Sequence, residues 1–180
     1  MNLEETIIAI VRIAGSLPVL FSPFFGGLAV IAFDLSDLFL MQSLQLGGVS
    51  NYQQLDKILD CFYLLTFFIV SRRWDKTTKN ILAGLFIYRL IGMGMFEIFS
   101  ERMILFFFPN FFEFAFIFFA YKYQFNKFNN ITRNSKLALI AIIGGTKIMH
   151  EYVLHVWQEL DNYTAIELLR KIRFLLKVKG

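Results

Sequence analysis

The sequence predicts an all-α polytopic membrane protein, with about six transmembrane helices in one bundle and an amphipathic helix after them. Three observations carry that expectation. Of the 180 residues 57% are hydrophobic and only 18% charged, whereas soluble domains carry roughly a quarter charged residues. Apolar stretches recur at close to the roughly 17 to 25 residues that a bilayer crossing needs. The 23 phenylalanines gather in runs such as FFFPNFFEFAFIFF, which would aggregate in water but suit contact with lipid. Residues 1–160 suffice for the bundle and 161–180 for the surface helix, leaving no length for a separate soluble domain.

The first segment, Glu5 to Phe21, is short and interrupted at Pro18, so a tilted or partly interfacial helix is expected. Its acidic leader and Arg12 distinguish it from a cleavable signal peptide, so it is expected to stay as the first helix. The second runs from Pro23 to Leu44 with Asp34 and Asp37 in its later half. A third begins near Gln54, carries Asp56 and Asp60 in its first turns and ends at Ser71. After the hydrophilic connection RRWDKTTKN comes a fourth, Ile81 to Ser100, with Arg89 and Glu97. The fifth, Met103 to Phe125, holds Glu113 and a break expected at Pro109 and Asn110. In the sixth, Leu137 to Trp157, Gly144 and Gly145 favour close helix packing, and Lys147, His150, Glu151 and His155 follow. The tail TAIELLRKIRFLLKVKG opens with a capping box, Thr164 to Glu167, and mixes apolar with basic residues at helical spacing, as a membrane-surface helix does.

Six crossings in alternating directions would bring the polar residues into one half of the bundle. Asp34, Asp37, Asp56, Asp60, Glu97, Asn110, Glu113, Lys147, His150, Glu151 and His155 fall there, with Arg12 and Arg89 near mid-depth. Random scatter would not leave one half so dry. The expectation is a charged, water-filled cavity open to one side. Its seven carboxylates face only Arg12, Arg89 and Lys147, or also Lys57 if that side chain turns inward. Such an excess calls for protons, a cationic substrate or metal ions, and all-carboxylate ligands suit hard divalent ions such as Mg2+ or Mn2+. Arg12, Arg89, Glu97, Glu113, Lys147, His150, Glu151 and His155 are the candidate substrate-binding residues. For Lys147, Glu151 and His155, one stripe of the sixth helix, a self-neutralising ladder fits equally well. Arg89, Glu97 and Glu113 fit interhelix pairing. HEYVLH has the wrong spacing for a helical zinc site.

The stretch from Asp34 to Asp60, DLSDLFLMQSLQLGGVSNYQQLDKILD, resembles the signature of the CDP-alcohol phosphotransferases, six-helix membrane enzymes that make phospholipids. Their motif reads D-x-x-D-G-x-x-A-R, eight or nine residues, then G-x-x-x-D-x-x-x-D. Asp34, Asp37, Asp56 and Asp60 fall on its four aspartates. The resemblance implies that these four hold divalent metal and that Asp60 also acts as the catalytic base on the acceptor alcohol. Leu38, Met41, Gln42 and Tyr52 stand where the motif has Gly, Ala, Arg and Gly, so a changed substrate or lost catalysis is expected within that scaffold. Two other functions fit the same residues, a small ion- or proton-coupled transporter and a non-catalytic membrane subunit.

The net charge of +4, scattered in loops, suits anionic lipid headgroups and not nucleic acid. Membrane lipid is the expected partner, with a homodimer admitted. Cys61 is the only cysteine, which excludes an internal disulfide and a multi-cysteine metal site.

Overall fold

A computed structural model describes residues 3–44, 52–125, 141, 144–149, 152–153 and 156, with the side chains of 35, 37–44, 52–54 and 102 outside that description. All its regular elements are helical. Helix α1 spans Leu3–Ser16, and a 3-10 turn covers Leu17–Leu20. Proline has no N–H to continue the α-helical ladder, and the Pro18 carbonyl instead accepts from the amides of Phe21 and Ser22 at 3.1 and 3.0 Å. The chain turns directly into α2, Pro23–Leu44, which starts where the sequence placed it; the residues that immediately follow Leu44 lie outside the description.

Helix α3 spans Tyr52–Ser71 and α4 spans Lys76–Phe99. The latter starts five residues before the expected Ile81 because Asp75 caps it. The Asp75 carboxylate accepts from the amides of Thr77 and Thr78, both at 3.0 Å, satisfying two of the donors a helix start leaves unpaired. The far end closes on Ser100 in the left-handed region, φ 55°, with its amide bonded to the Phe96 carbonyl.

The expected fifth helix is two, α5 at Arg102–Phe107 and α6 at Phe111–Phe125. Pro109 separates them, and Asn110 starts the second by accepting at its side-chain oxygen from the Glu113 amide, 3.3 Å away. Helix α4 stitches the break. Tyr88 donates to the Phe107 carbonyl and Arg89 Nη1 to the Phe108 carbonyl, the latter at 2.9 Å. Both supply donors to a helix C-terminus, where they are electrostatically favoured.

The core forms where α3, α4 and α6 meet α2. Phe67 stacks on Phe116 at 4.0 Å between ring centroids, and Leu64, Val70, Leu82 and Phe112 are fully buried around them. Glycines allow the closest approach: a Cβ on Gly26 of α2 would collide with the backbone of Pro18 and Val19. A second small cluster, Ile8, Ala9 and Leu59, joins α1 to α3.

Among the described residues two segments are long and apolar enough to cross a membrane, Lys76–Phe99 and Met103–Phe125, the second counted through its break at Pro109. Pro23–Asp34 is a shorter apolar helix. Six crossings are therefore not supported by length and apolarity alone. Helix α1 has 14 residues, too few to span hydrocarbon at about 1.5 Å per residue, and α3 spends its first turns on Asp56, Lys57 and Asp60. Of the expected sixth helix, residues 141, 144–149 and 152 are helical. The C-terminal surface helix lies outside the described residues.

Candidate functional site

Helices α1, α2 and α3 each contribute one face to a cluster of ionisable side chains. On α1, Glu4, Ile8 and Arg12 are buried at successive turns of one stripe, and α1 packs against both α2 and α3. On α3 the corresponding stripe is Asp56, Asp60, Tyr63 and Phe67, at offsets that keep four side chains on one helix face. Asp34 completes the cluster from α2.

Arg12 is the hub. Only 6% exposed, it pairs through Nη1 with Asp34. Its Nη2 donates to Asp60 Oδ1 at 2.8 Å and lies 3.6 Å from Asp56 Oδ1. Lys57 turns inward, with Nζ 2.6 Å from Asp56 Oδ2. Arg89, 4% exposed, brings Nη2 to 3.9 Å from Asp60 Oδ2. Among the described side chains, three carboxylates thus face three cations. The negative excess expected of the whole cavity does not show in these, because Lys57 and Arg12 both face the aspartates.

Exposure falls from the mouth of the cluster to its floor, with side-chain values of 40% for Asp34, 20% for Asp56 and 10% for Asp60. One carboxylate oxygen from each of the three lies within 4.8 Å of the others. Such a set of hard oxygen donors is compatible in chemistry with a hard divalent ion. The same three carboxylates are engaged by Arg12. Asp37 follows Asp34 by one turn of α2, but its side chain lies outside the described residues.

A second polar group sits deeper, between α3 and α6. Asn110, 3% exposed, donates through Nδ2 to Tyr63 Oη at 2.8 Å and to Glu113 Oε2 at 2.9 Å. Glu113 therefore belongs to the cap of α6 and its tie to α3, the structural role its sequence context also allowed. Tyr63 was not singled out in the sequence, although it lies three residues after Asp60 and a buried phenol needs a hydrogen-bond partner. Glu4 was likewise missed, because a glutamate near a chain start reads as solvated.

The other candidates are scattered. Glu97 is exposed on α4. Lys147 is 4% exposed, with Nζ 5.0 Å from the Phe114 ring centroid, a cation–π arrangement beside Glu113. His150, Glu151 and His155 lie outside the described residues. A cavity of about 370 Å³ opens at the opposite end of the bundle, lined by Phe21, Ser22, Pro23, Ala120, Tyr123 and Gln124. Among its described lining residues Tyr123 is the only titratable group.

Searches against protein-family models, curated proteins and solved structures find no match to this chain.

Proposed function

We propose that this chain is a multi-pass membrane protein with a divalent-cation site at Asp34, Asp56 and Asp60, acting in phosphoryl transfer on a lipid-associated or phosphorylated substrate. The observation that carries the reading is the convergence of one oxygen from each aspartate within 4.8 Å, from two helices separated in sequence. These are three of the four aspartates aligned with the CDP-alcohol phosphotransferase motif. Asp37, one turn on from Asp34, is the fourth proposed ligand.

Beyond the two crossings that length and apolarity indicate, α2, α3 and the helical residues after 141 are proposed to complete the bundle, with α1 as a partly interfacial helix that enters the bilayer without spanning it. Exposed aliphatic and aromatic side chains support lipid contact along α3. Ile58, Phe62, Leu65 and Ile69 form one exposed stripe, opposite the stripe that carries Asp56 and Asp60.

A bound ion would neutralise phosphate oxygens and polarise the phosphoryl group. The chain's own residues do the rest. Asp60 holds Arg12 through Oδ1, which leaves Oδ2 as the oxygen to accept the proton of an acceptor hydroxyl. Arg89, beside Oδ2, positions that carboxylate. Leu38, Gln42 and Tyr52 replace the small and basic residues that the motif places around a nucleotide, which points to a substrate other than the family's CDP-lipids or to loss of turnover.

The charge balance of the cluster favours a second reading, a non-catalytic membrane subunit in which the ion pairs fix helix packing. Calorimetric titration of the detergent-solubilised protein with Mg2+ and Mn2+ separates the two. The cation site requires binding that Asp56→Ala abolishes, and binding unaffected by that change leaves the structural reading. Release of CMP from a CDP-activated lipid in the presence of an alcohol then tests whether the family's transfer survives.

A further inference from the structure

Resting on the cation site proposed above, we infer that Arg12 is an exchangeable counter-ion, which occupies the carboxylates in the absence of a divalent ion and must leave them for the ion to bind. Asp34, Asp56 and Asp60 offer the oxygens that would ligate an ion, and Arg12 reaches all three, through Nη1 on one side and Nη2 on the other. A guanidinium seated on those carboxylates and a divalent cation held between them repel each other at that range, so occupancy by one disfavours the other. Among the described contacts Lys57 pairs with Asp56 and not with the other two aspartates, so it competes at one carboxylate where Arg12 competes at three.

The displaced guanidinium is the second half of the exchange. Arg12 is almost fully buried, and a buried cation stripped of its partners is costly unless another anion meets it. Arg89 adds an independent sign of a missing anion. It is as deeply buried, and its Nε has no hydrogen-bond partner among the described residues, a deficit rare in native structures. Two buried guanidiniums, one released and one incompletely satisfied, flank Asp60 and match the oxygens of a phosphate group. The divalent ion and a phosphate-bearing ligand therefore bind together, each supplying a partner for the group the other displaces.

Mg2+ titrations of wild type, Arg12→Gln and Arg12→Lys, each with and without saturating inorganic phosphate, test this. Breaking one charge-assisted hydrogen bond corresponds to about tenfold to a hundredfold in affinity, so Arg12→Gln should bind Mg2+ tighter by about that factor. Phosphate should tighten Mg2+ binding in wild type and leave Arg12→Gln unchanged. Arg12→Lys, which keeps the charge without the planar fork, should fall between them. Thermal unfolding gives the second readout, with Arg12→Gln less stable than wild type in chelator and gaining more from added Mg2+.

Should Arg12→Gln not survive purification, the Arg12→Lys comparison decides the exchange in the same way. Equal Mg2+ affinity in wild type and the Arg12 variants overturns the exchange while leaving the cation site standing. A phosphate effect missing from wild type, with Arg12→Gln tightened, overturns the coupling to phosphate. Absence of Mg2+ binding in every variant overturns the cation site itself and the exchange with it.

Discussion

Buried charge at single residues explains most of the specific contacts in this bundle. Arg12 and Asp60 are expensive to desolvate, and their cross-helix pairing compensates that cost while fixing the register of α1 against α3. Asp75 shows the same economy at the surface. Hydrogen bonds from the amide and hydroxyl of Thr78, and from the amide of Thr77, hold its carboxyl below the ordinary value of 3.8. Tyr123 donates to the same carboxylate and stacks on Trp74 at 5.0 Å, tying the connection before α4 to the end of α6. A carboxyl depressed in the folded state contributes stability above its unfolded value, and that contribution is lost as the pH falls through the lowered value. Thermal stability in detergent is therefore expected to drop in that acid range, and Asp75→Ala to lower stability at neutral pH and flatten the acid limb. An identical acid limb in wild type and variant would remove Asp75 from the account.

At the level of elements, helix breaks and close approaches set where the site can form. Pro18 ends α1 early and returns the chain at once, so Arg12 on α1 and Asp34 on α2 face each other. Gly26 makes that return tight, because its missing Cβ leaves room for the backbone at Pro18 and Val19. Gly26→Ala should destabilise the protein by roughly 1 to 3 kcal/mol, the usual range for overpacking a site that cannot relax. Gly84→Ala serves as the control, since its Cβ would meet nothing within 4 Å, and should be neutral or stabilising by up to about 1 kcal/mol from helix propensity. Comparable losses in both, measured by unfolding in mixed micelles, would show that helix entropy and not the turn governs Gly26.

For the whole molecule, the decisive property is which ends of the helices share a side. Helix α4 is long and apolar enough to cross a membrane, so cysteines at Thr77 and Glu101, in a Cys61→Ser background, should be labelled by an impermeant reagent from opposite sides of a vesicle. Labelling of both from one side would end the multi-pass reading.

Composition and periodicity determined the helical class of the described residues, the start of α2 at Pro23 and the breaks at Pro18 and Pro109, because backbone chemistry at proline and local apolar runs act within a few turns. The aspartates on one face of α3 were legible for the same reason. The start of α4 was not, because a capping residue competes with the hydrophobic run as the boundary signal. Nor were the partners of the aspartates: the spacing of carboxylates says which share a face, but not what stands opposite. Only the tertiary structure decided that Arg12 and Lys57 turn onto Asp34, Asp56 and Asp60, that Arg89 reaches both Asp60 and the end of α5, and that Glu113 belongs to Asn110 and Tyr63. Long flexible cations can satisfy any of several nearby anions, so their choice depends on how α1, α2, α3 and α4 pack.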